Sequence, residues 1–106
     1  MKVKKIVFDI DGTICDEAPT FEKCLSKPIN EMIEVVNDCY NKGCFVILYT
    51  ARSWSEFRMT EDWLKKNNVL YNLLLCGKPT YDLWVDDRAI SACENIKHIK
   101  ERIYNG

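Results

Sequence analysis

Two textures alternate along the chain. Short unbroken apolar runs stand at residues 6–8 (within a first strand of about Val3 to Asp9), 44–49, 73–76 and 83–85, and each stops at charged or hydroxyl-bearing residues or at glycine. Runs of this length without polar alternation read as strands buried on both faces. Between them the apolar residues recur at helical spacing. Ile29, Met32, Ile33, Val36 and Tyr40 mark a helix opened by Pro28, which a first helical turn tolerates, and Gly43 is placed as its stop. Phe57, Trp63 and Leu64 mark the inner face of a second helix within residues 55–67, ended by Asn67 and Asn68. A third helix opens with Ser91 and Glu94 in capping-box spacing, with Ala92, Ile96, Ile99 and Ile103 as its buried stripe. Alternating strands and helices predict an α/β fold with a parallel sheet and right-handed crossovers.

In such a sheet the carboxyl ends of all strands share one edge, and ligands bind there. The predicted strand ends therefore acquire a common meaning. The first ends in Asp9 and Asp11, the second in Thr50, and the third is followed by Lys78. The fourth ends in Asp86 and Asp87. Asp9 and Asp11 are two positions apart, so an extended backbone points both to one side. Two acids at the end of a buried strand are costly to desolvate unless something positive lies between them. Gly12 permits a tight exit, and Thr13 adds a hydroxyl.

Composition narrows this picture. At 106 residues the chain is expected to be a single domain, residues 1–106, with one core. A formal net charge of -1 argues against a general binder of nucleic acid, whose footprint is a basic face. The start, Met1-Lys2-Val3-Lys4-Lys5, has the charge of a signal peptide, but the apolar stretch before Asp9 is too short for one. No apolar run is long enough to span a membrane, so the expected setting is cytoplasmic. The six cysteines (Cys15, Cys24, Cys39, Cys44, Cys76 and Cys93) contain no Cys-x-x-Cys, and the one histidine, His98, lies in a helical stretch. Zinc-finger spacing is absent, and no cysteine–histidine pair suggests itself for nucleophilic catalysis. The cysteines read as small, mostly buried hydrophobes in a reducing compartment, with Cys15 and Cys76 the two nearest the motifs.

The polar set, in this order, resembles the haloacid dehalogenase-like superfamily of aspartate-nucleophile phosphotransferases. Asp9-Ile10-Asp11-Gly12-Thr13 is similar to its first motif, Thr50 to the hydroxyl of the second, Lys78 to the third, and Asp86-Asp87 to the acidic fourth. The resemblance covers nearly the whole chain. Tyr49-Thr50-Ala51-Arg52, Gly77-Lys78-Pro79 and Val85-Asp86-Asp87-Arg88 look most like small phosphatases of capsule and surface-polysaccharide synthesis. The resemblance implies a Rossmann-like parallel sheet of order 3-2-1-4 with flanking helices. It implies a phosphatase acting on a small sugar- or polyol-phosphate, with Mg²⁺ as cofactor, while the charge and the short apolar runs predict neither nucleic acid nor membrane as partner. No cap domain is expected, because the intervals between motifs leave no room for one.

The chemistry can be reasoned beside the resemblance. Phosphate monoesters resist attack because their charged oxygens repel nucleophiles, so catalysis needs positive charge and alignment. Asp9 is the expected nucleophile, giving an aspartyl-phosphate. Asp11 is placed to protonate the leaving alcohol and then to accept a proton from water. Thr50 would hydrogen-bond a phosphoryl oxygen, and Lys78 would neutralise charge on the phosphoryl group and Asp9. The expected metal ligands are Asp9, Asp11 through its backbone carbonyl, as the resemblance implies, and Asp86, with Asp87 either a ligand through water or a partner for Lys78. Gly12, Ala51 and Arg52 complete the substrate-binding set. Arg52 would either bind a substrate anion bidentately or pair with a neighbouring acid. Residues 14–27 form a long connector, and such loops often act as lids. Phe21 could then cover the site and Lys23 meet a substrate anion. An open rim implies a large substrate, or closure by this loop or by a neighbouring subunit of a homo-oligomer. Two other readings remain: a receiver-like signalling domain accepting a phosphoryl group, and a non-catalytic metal-binding relative.

Overall fold

A computed structural model describes residues 3–18 and 20–105, apart from the side chains of Thr20, Phe21 and Glu22. The order of elements is β1 (Lys5–Phe8), α1 (Asn30–Asn41), β2 (Phe45–Tyr49), α2 (Phe57–Lys66), β3 (Leu73–Leu75) and α3 (Ile96–Asn105). Short 3-10 helices at Thr20–Leu25 and Trp54–Glu56 precede α1 and α2. The three strands form one parallel sheet in the order β1-β2-β3. Val7 stands beside Ile47, which stands beside Leu73; Phe8, Leu48 and Leu74 form the next row.

That register sorts the side chains by face. Phe8, Val46, Leu48 and Leu74 enter a core shared with Val35, Val36 and Cys39 of α1, Trp63 and Leu64 of α2, and Ile99 and Ile103 of α3. Both crossovers step in the same direction across the sheet, so right-handedness lays α1 and α2 on one side. A fully buried aliphatic residue such as Leu48 or Leu64 contributes about 1.5–3 kcal/mol over its exposed state. The opposite face carries Val7, Phe45 and Leu73, all substantially exposed. The sheet is thus covered on one side among the described residues, although its runs read as buried on both.

The helices start and stop for local reasons. In α1 Met32, Ile33 and Val36 are buried as expected, but Ile29, just before the helix, and Tyr40, near its end, were expected on the same core stripe and are exposed. Asn68, at φ 57°, ends the turn after α2, a conformation that asparagine tolerates better than most residues. Ser53 and Glu56 form a reciprocal capping box ahead of α2. The expected capping box of α3 is corrected. Ser91 and Glu94 lie before the helix, Ala92 is exposed, and Asn95 accepts the Lys97 N–H at 2.8 Å instead. Asn95 sits one residue from the first apolar position of the stripe, closer than Ser91, and is an equally good cap.

Residues 83–85 form no strand. Leu83 and Val85 are 78% and 88% exposed, and the Trp84 indole donates to Asp86 Oδ2 at 3.2 Å, with its ring 5.0 Å from Tyr81. An apolar run of three residues ending in two acids buries too little surface to hold a sheet edge by itself. The expected order 3-2-1-4 therefore appears only as its 3-2-1 part, and no cap domain is evident among the described residues. None of the described helices is long and apolar enough to cross a membrane.

Candidate functional site

The carboxyl edge of the sheet gathers four of the expected residues. Asp9 follows β1 directly, its Oδ1 accepting the Ile10 N–H at 2.8 Å and its Oδ2 lying 3.6 Å from the Lys78 ammonium. The Asp9 side chain is 37% exposed, so one acid of the set is open to solvent. The backbone then turns back on itself. Ile10 is fully buried, and its carbonyl accepts from the N–H groups of Thr13 and Ile14 at 3.0 and 2.9 Å. Gly12 takes φ 81°, which costs it no steric penalty, and it donates to the Cys15 carbonyl at 2.8 Å.

Asp11 has a different environment. Arg52 grips it with two parallel bonds, Nη2 to Oδ1 at 2.8 Å and Nε to Oδ2 at 3.0 Å. Lys23 adds its ammonium 3.3 Å from Oδ1. Burial pushes the Asp11 carboxyl up, but the hydrogen bonds and charge of Arg52, helped by Lys23, outweigh it and hold the group below its usual value. The Arg52 side chain is fully buried, and it also donates from Nη1 to the Thr60 hydroxyl at 3.0 Å and from Nη2 to the Cys15 sulfur at 3.9 Å. Of the two expectations for Arg52, pairing with a neighbouring acid is the one found. A buried fork of this kind holds a carboxylate in fixed geometry.

Thr50 ends β2 and is fully buried. Its N–H donates to Leu75 and its carbonyl accepts from Lys78, both at 2.9 Å, which ties the second and third motifs together through the backbone. Its hydroxyl accepts the Arg52 N–H at 3.1 Å. Ala51 is exposed beside it. Gly77 donates to the Arg52 carbonyl at 2.8 Å and sits at φ 79°. A Cβ there would meet the Trp54 indole at 3.0 Å, so any other residue is opposed both by its backbone and by its neighbour. That turn aims Lys78 back at Asp9.

The connector at residues 14–27 is fastened at its base. Asp16 N–H donates to the Lys27 carbonyl, Lys27 N–H to the Asp16 carboxylate, and Ile29 N–H to Ile14, all at 2.9 Å. The Trp63 indole donates to the Ser26 carbonyl at 2.9 Å, pinning the segment to α2. Lys23 does not wait for a substrate anion. It is held between Asp11 and the Ala18 carbonyl, 3.2 Å away. The Phe21 side chain lies outside the described residues.

The second acidic pair stands apart. Asp86 and Asp87 are exposed, Asp86 bonding the Arg88 N–H at 2.8 Å and the Trp84 indole, and Asp87 lying 3.9 Å from Arg88 Nε. The Arg88 backbone N–H, and then the indole, hold the Asp86 carboxyl below its usual value. No group of three or more His, Cys, Asp or Glu side chains placed to hold a metal ion occurs among the described residues. The Asp9, Asp11 and Asp86 side chains therefore do not form such a group.

Sequence reasoning missed several neighbours of the site. Lys23 was expected to face substrate rather than Asp11, and Thr60 carried no signal beyond its place on a helix. The Lys78 ammonium also lies 5.9, 5.3 and 5.4 Å from the ring centroids of Tyr49, Tyr81 and Trp84. Clustering of aromatics around the third and fourth motifs was the available sign. Cys15, Cys39, Cys44 and Cys76 are buried, as expected for most of the set, and Cys24 and Cys93 are exposed. Burial, reinforced by the Asp11 charge, pushes the Cys15 thiol up to about 12, so it stays protonated and unreactive.

A parallel α/β unit with acids, a hydroxyl and an ammonium on its carboxyl edge is the class that fold and geometry define. The chain is similar to solved structures of that shape. A crystal structure of a target protein from Vibrio cholerae matches at 24% identity with a TM-score of 0.71, covering 97% of this chain and 98% of the other. A structure of a Pnkp1/Rnl/Hen1 complex matches at 26% identity and TM-score 0.62, covering 81% of this chain and 32% of that one. A structure of the Pnkp1/Rnl/Hen1 RNA repair complex matches at 23% and 0.61, over 97% of this chain and 32% of that one. No family model matches the sequence. No curated protein sequence matches it.

Proposed function

We propose that the chain is a capless phosphatase of the haloacid dehalogenase-like superfamily, hydrolysing small sugar- or polyol-phosphates through an aspartyl-phosphate on Asp9. The observation that carries this reading is the open Asp9 carboxylate with the Lys78 ammonium 3.6 Å away, on the edge where a parallel sheet binds ligands. Asp9 attacks phosphorus, the ester oxygen departs and takes a proton, and water then releases phosphate from the aspartyl ester. Lys78 neutralises charge on the phosphoryl oxygens. Asp11 is the proposed acid for the alcohol and base for the water. Its grip by Arg52 and Lys23 favours the ionised form, which suits the second duty, so for the first it must take a proton from solvent before giving it to the alcohol.

The donors suit a hard cation: the Asp9 carboxylate and the Asp11 main-chain carbonyl are oxygen ligands of the kind Mg²⁺ prefers. Bound there, Mg²⁺ would supply positive charge to the phosphoryl oxygens. The exposure of Asp86 and Asp87 favours one second reading, a non-catalytic relative. Assay with p-nitrophenyl phosphate separates the two. Mg²⁺-dependent turnover that falls by about a thousandfold or more in Asp9→Asn, as expected on loss of the nucleophile, supports the phosphatase. Absent turnover, or turnover indifferent to a chelator and to Asp9→Asn, overturns it.

A further inference from the structure

Lys78 has an unusual set of neighbours for a phosphate-binding lysine. Its ammonium lies 3.6 Å from Asp9 on one side, and on the other it is within 5.3 to 5.9 Å of the rings of Tyr49, Tyr81 and Trp84. Tyr81 and Trp84 touch each other at 5.0 Å between centroids, tilted by 58°. Both are about half exposed although they are large rings, and Trp54, more exposed still, lies along Gly77 immediately before Lys78. Exposed aromatics gathered at one place on a small domain mark a binding surface rather than a core. Here the gathering surrounds Lys78, the partner of the open Asp9 carboxylate.

Resting on the phosphatase reading above, we propose that Tyr81 and Trp84 form a platform for one face of a ring in the substrate's leaving group, so that the preferred substrates are phosphomonoesters of ring-bearing alcohols. A ring held on this platform stands within reach of a phosphoryl group between Lys78 and Asp9. Aromatic side chains hold rings by their faces, and every sugar or base ring has a face to offer. An acyclic polyol phosphate presents the same phosphate but nothing for the platform. The cation at the centre adds to the arrangement, because the rings that surround Lys78 hold its position in the absence of substrate. Glucose 6-phosphate and adenosine 5′-monophosphate share this chemistry, and the choice between them is made by experiment.

The test compares those two esters with glycerol phosphate. In kinetics with Mg²⁺, kcat/KM is expected to favour at least one ring-bearing ester over glycerol phosphate by about tenfold or more, as loss or gain of one stacking contact gives. Trp84→Ala should collapse that ratio, and Trp84→Phe should keep most of it. Phenylalanine retains a ring but not the indole bond to Asp86, so its rescue assigns the effect to the ring face. Equal kcat/KM for all three esters, or equal losses in both Trp84 variants, overturns the platform. Binding is measured separately by tryptophan fluorescence on the metal-free protein, with Trp63, buried and bonded to Ser26, as the unresponsive reference. Quenching by a ring-bearing phosphate well below the concentration at which glycerol phosphate acts supports the platform even if no ester is hydrolysed. No difference in that titration overturns it even if the phosphatase reading stands.

Discussion

The two acidic pairs of this chain are alike in sequence and unlike in structure. Asp9 and Asp11 leave a strand that is paired in the sheet, and one of them is locked by two cations. Asp86 and Asp87 leave a run that forms no strand, and both remain in solvent, served by Trp84 and Arg88. The comparison separates what a motif specifies from what a fold supplies. A pair of acids sets the available chemistry. Whether either acid is buried, paired and shifted depends on the element that delivers it.

The locked pair offers the largest effect. Arg52→Ala leaves a carboxylate and the Thr60 hydroxyl without their buried partner, so urea unfolding should show a loss of about 3–5 kcal/mol. Arg52→Lys should recover only part of it, since an ammonium cannot reproduce the fork. Loss below 1 kcal/mol would mean that Asp11 is as free as Asp86, and the contrast would fail.

Acid titration comes next. The Asp11 carboxyl is held below its usual 3.8 in the folded chain, so its ionised form stabilises the fold above that pH. The contribution disappears as pH falls through the lowered value. Urea midpoints of the wild type should therefore drop as pH falls below 3.8, and drop less steeply in Asp11→Asn. Subtracting the two curves removes whatever other carboxylates contribute. Parallel curves would show that Asp11 titrates normally.

Lys23→Ala is expected to cost about 1 kcal/mol, as for one hydrogen-bonded partner of a charge that keeps its main partner. Thermal unfolding measures it, and a loss as large as that of Arg52→Ala would make Lys23 an equal partner. Asp86→Asn should give the smallest effect, a urea midpoint unchanged within error, because the side chain is fully exposed. A clear loss of stability there would show that the second pair is held after all.

The first pair and its surroundings were largely legible. Periodicity located α1 and α2, the apolar runs located β1, β2 and β3, and the parallel rule brought Asp9, Asp11, Thr50 and Lys78 to one edge. What failed was governed by tertiary competition. Residues 83–85 have the right residue types for a strand, but they are few, and Trp84 has local partners in Tyr81 and Asp86. Arg52 had two equally good fates in sequence. The buried Thr60 hydroxyl, which accepts from Arg52 while Arg52 grips Asp11, decides between them, and no spacing rule records a contact between a strand end and the middle of a helix. Lys23 was hidden for the same reason, because loop conformation and not period brings it to Asp11.

The strand order β1-β2-β3, in which each strand pairs with the next one along the chain, has a kinetic consequence. A parallel pair cannot close as a hairpin; each pairing waits for its whole helical crossover to form. Assembly from β1 to β3 can nonetheless proceed stepwise, because every pairing is with a neighbour already made. The exception is α3, which returns from the far end of the chain to place Ile99 and Ile103 in the core and Tyr104 over Lys42. Its docking closes the longest loop of the fold. Refolding followed at Tyr104 should therefore lag refolding followed at Trp63.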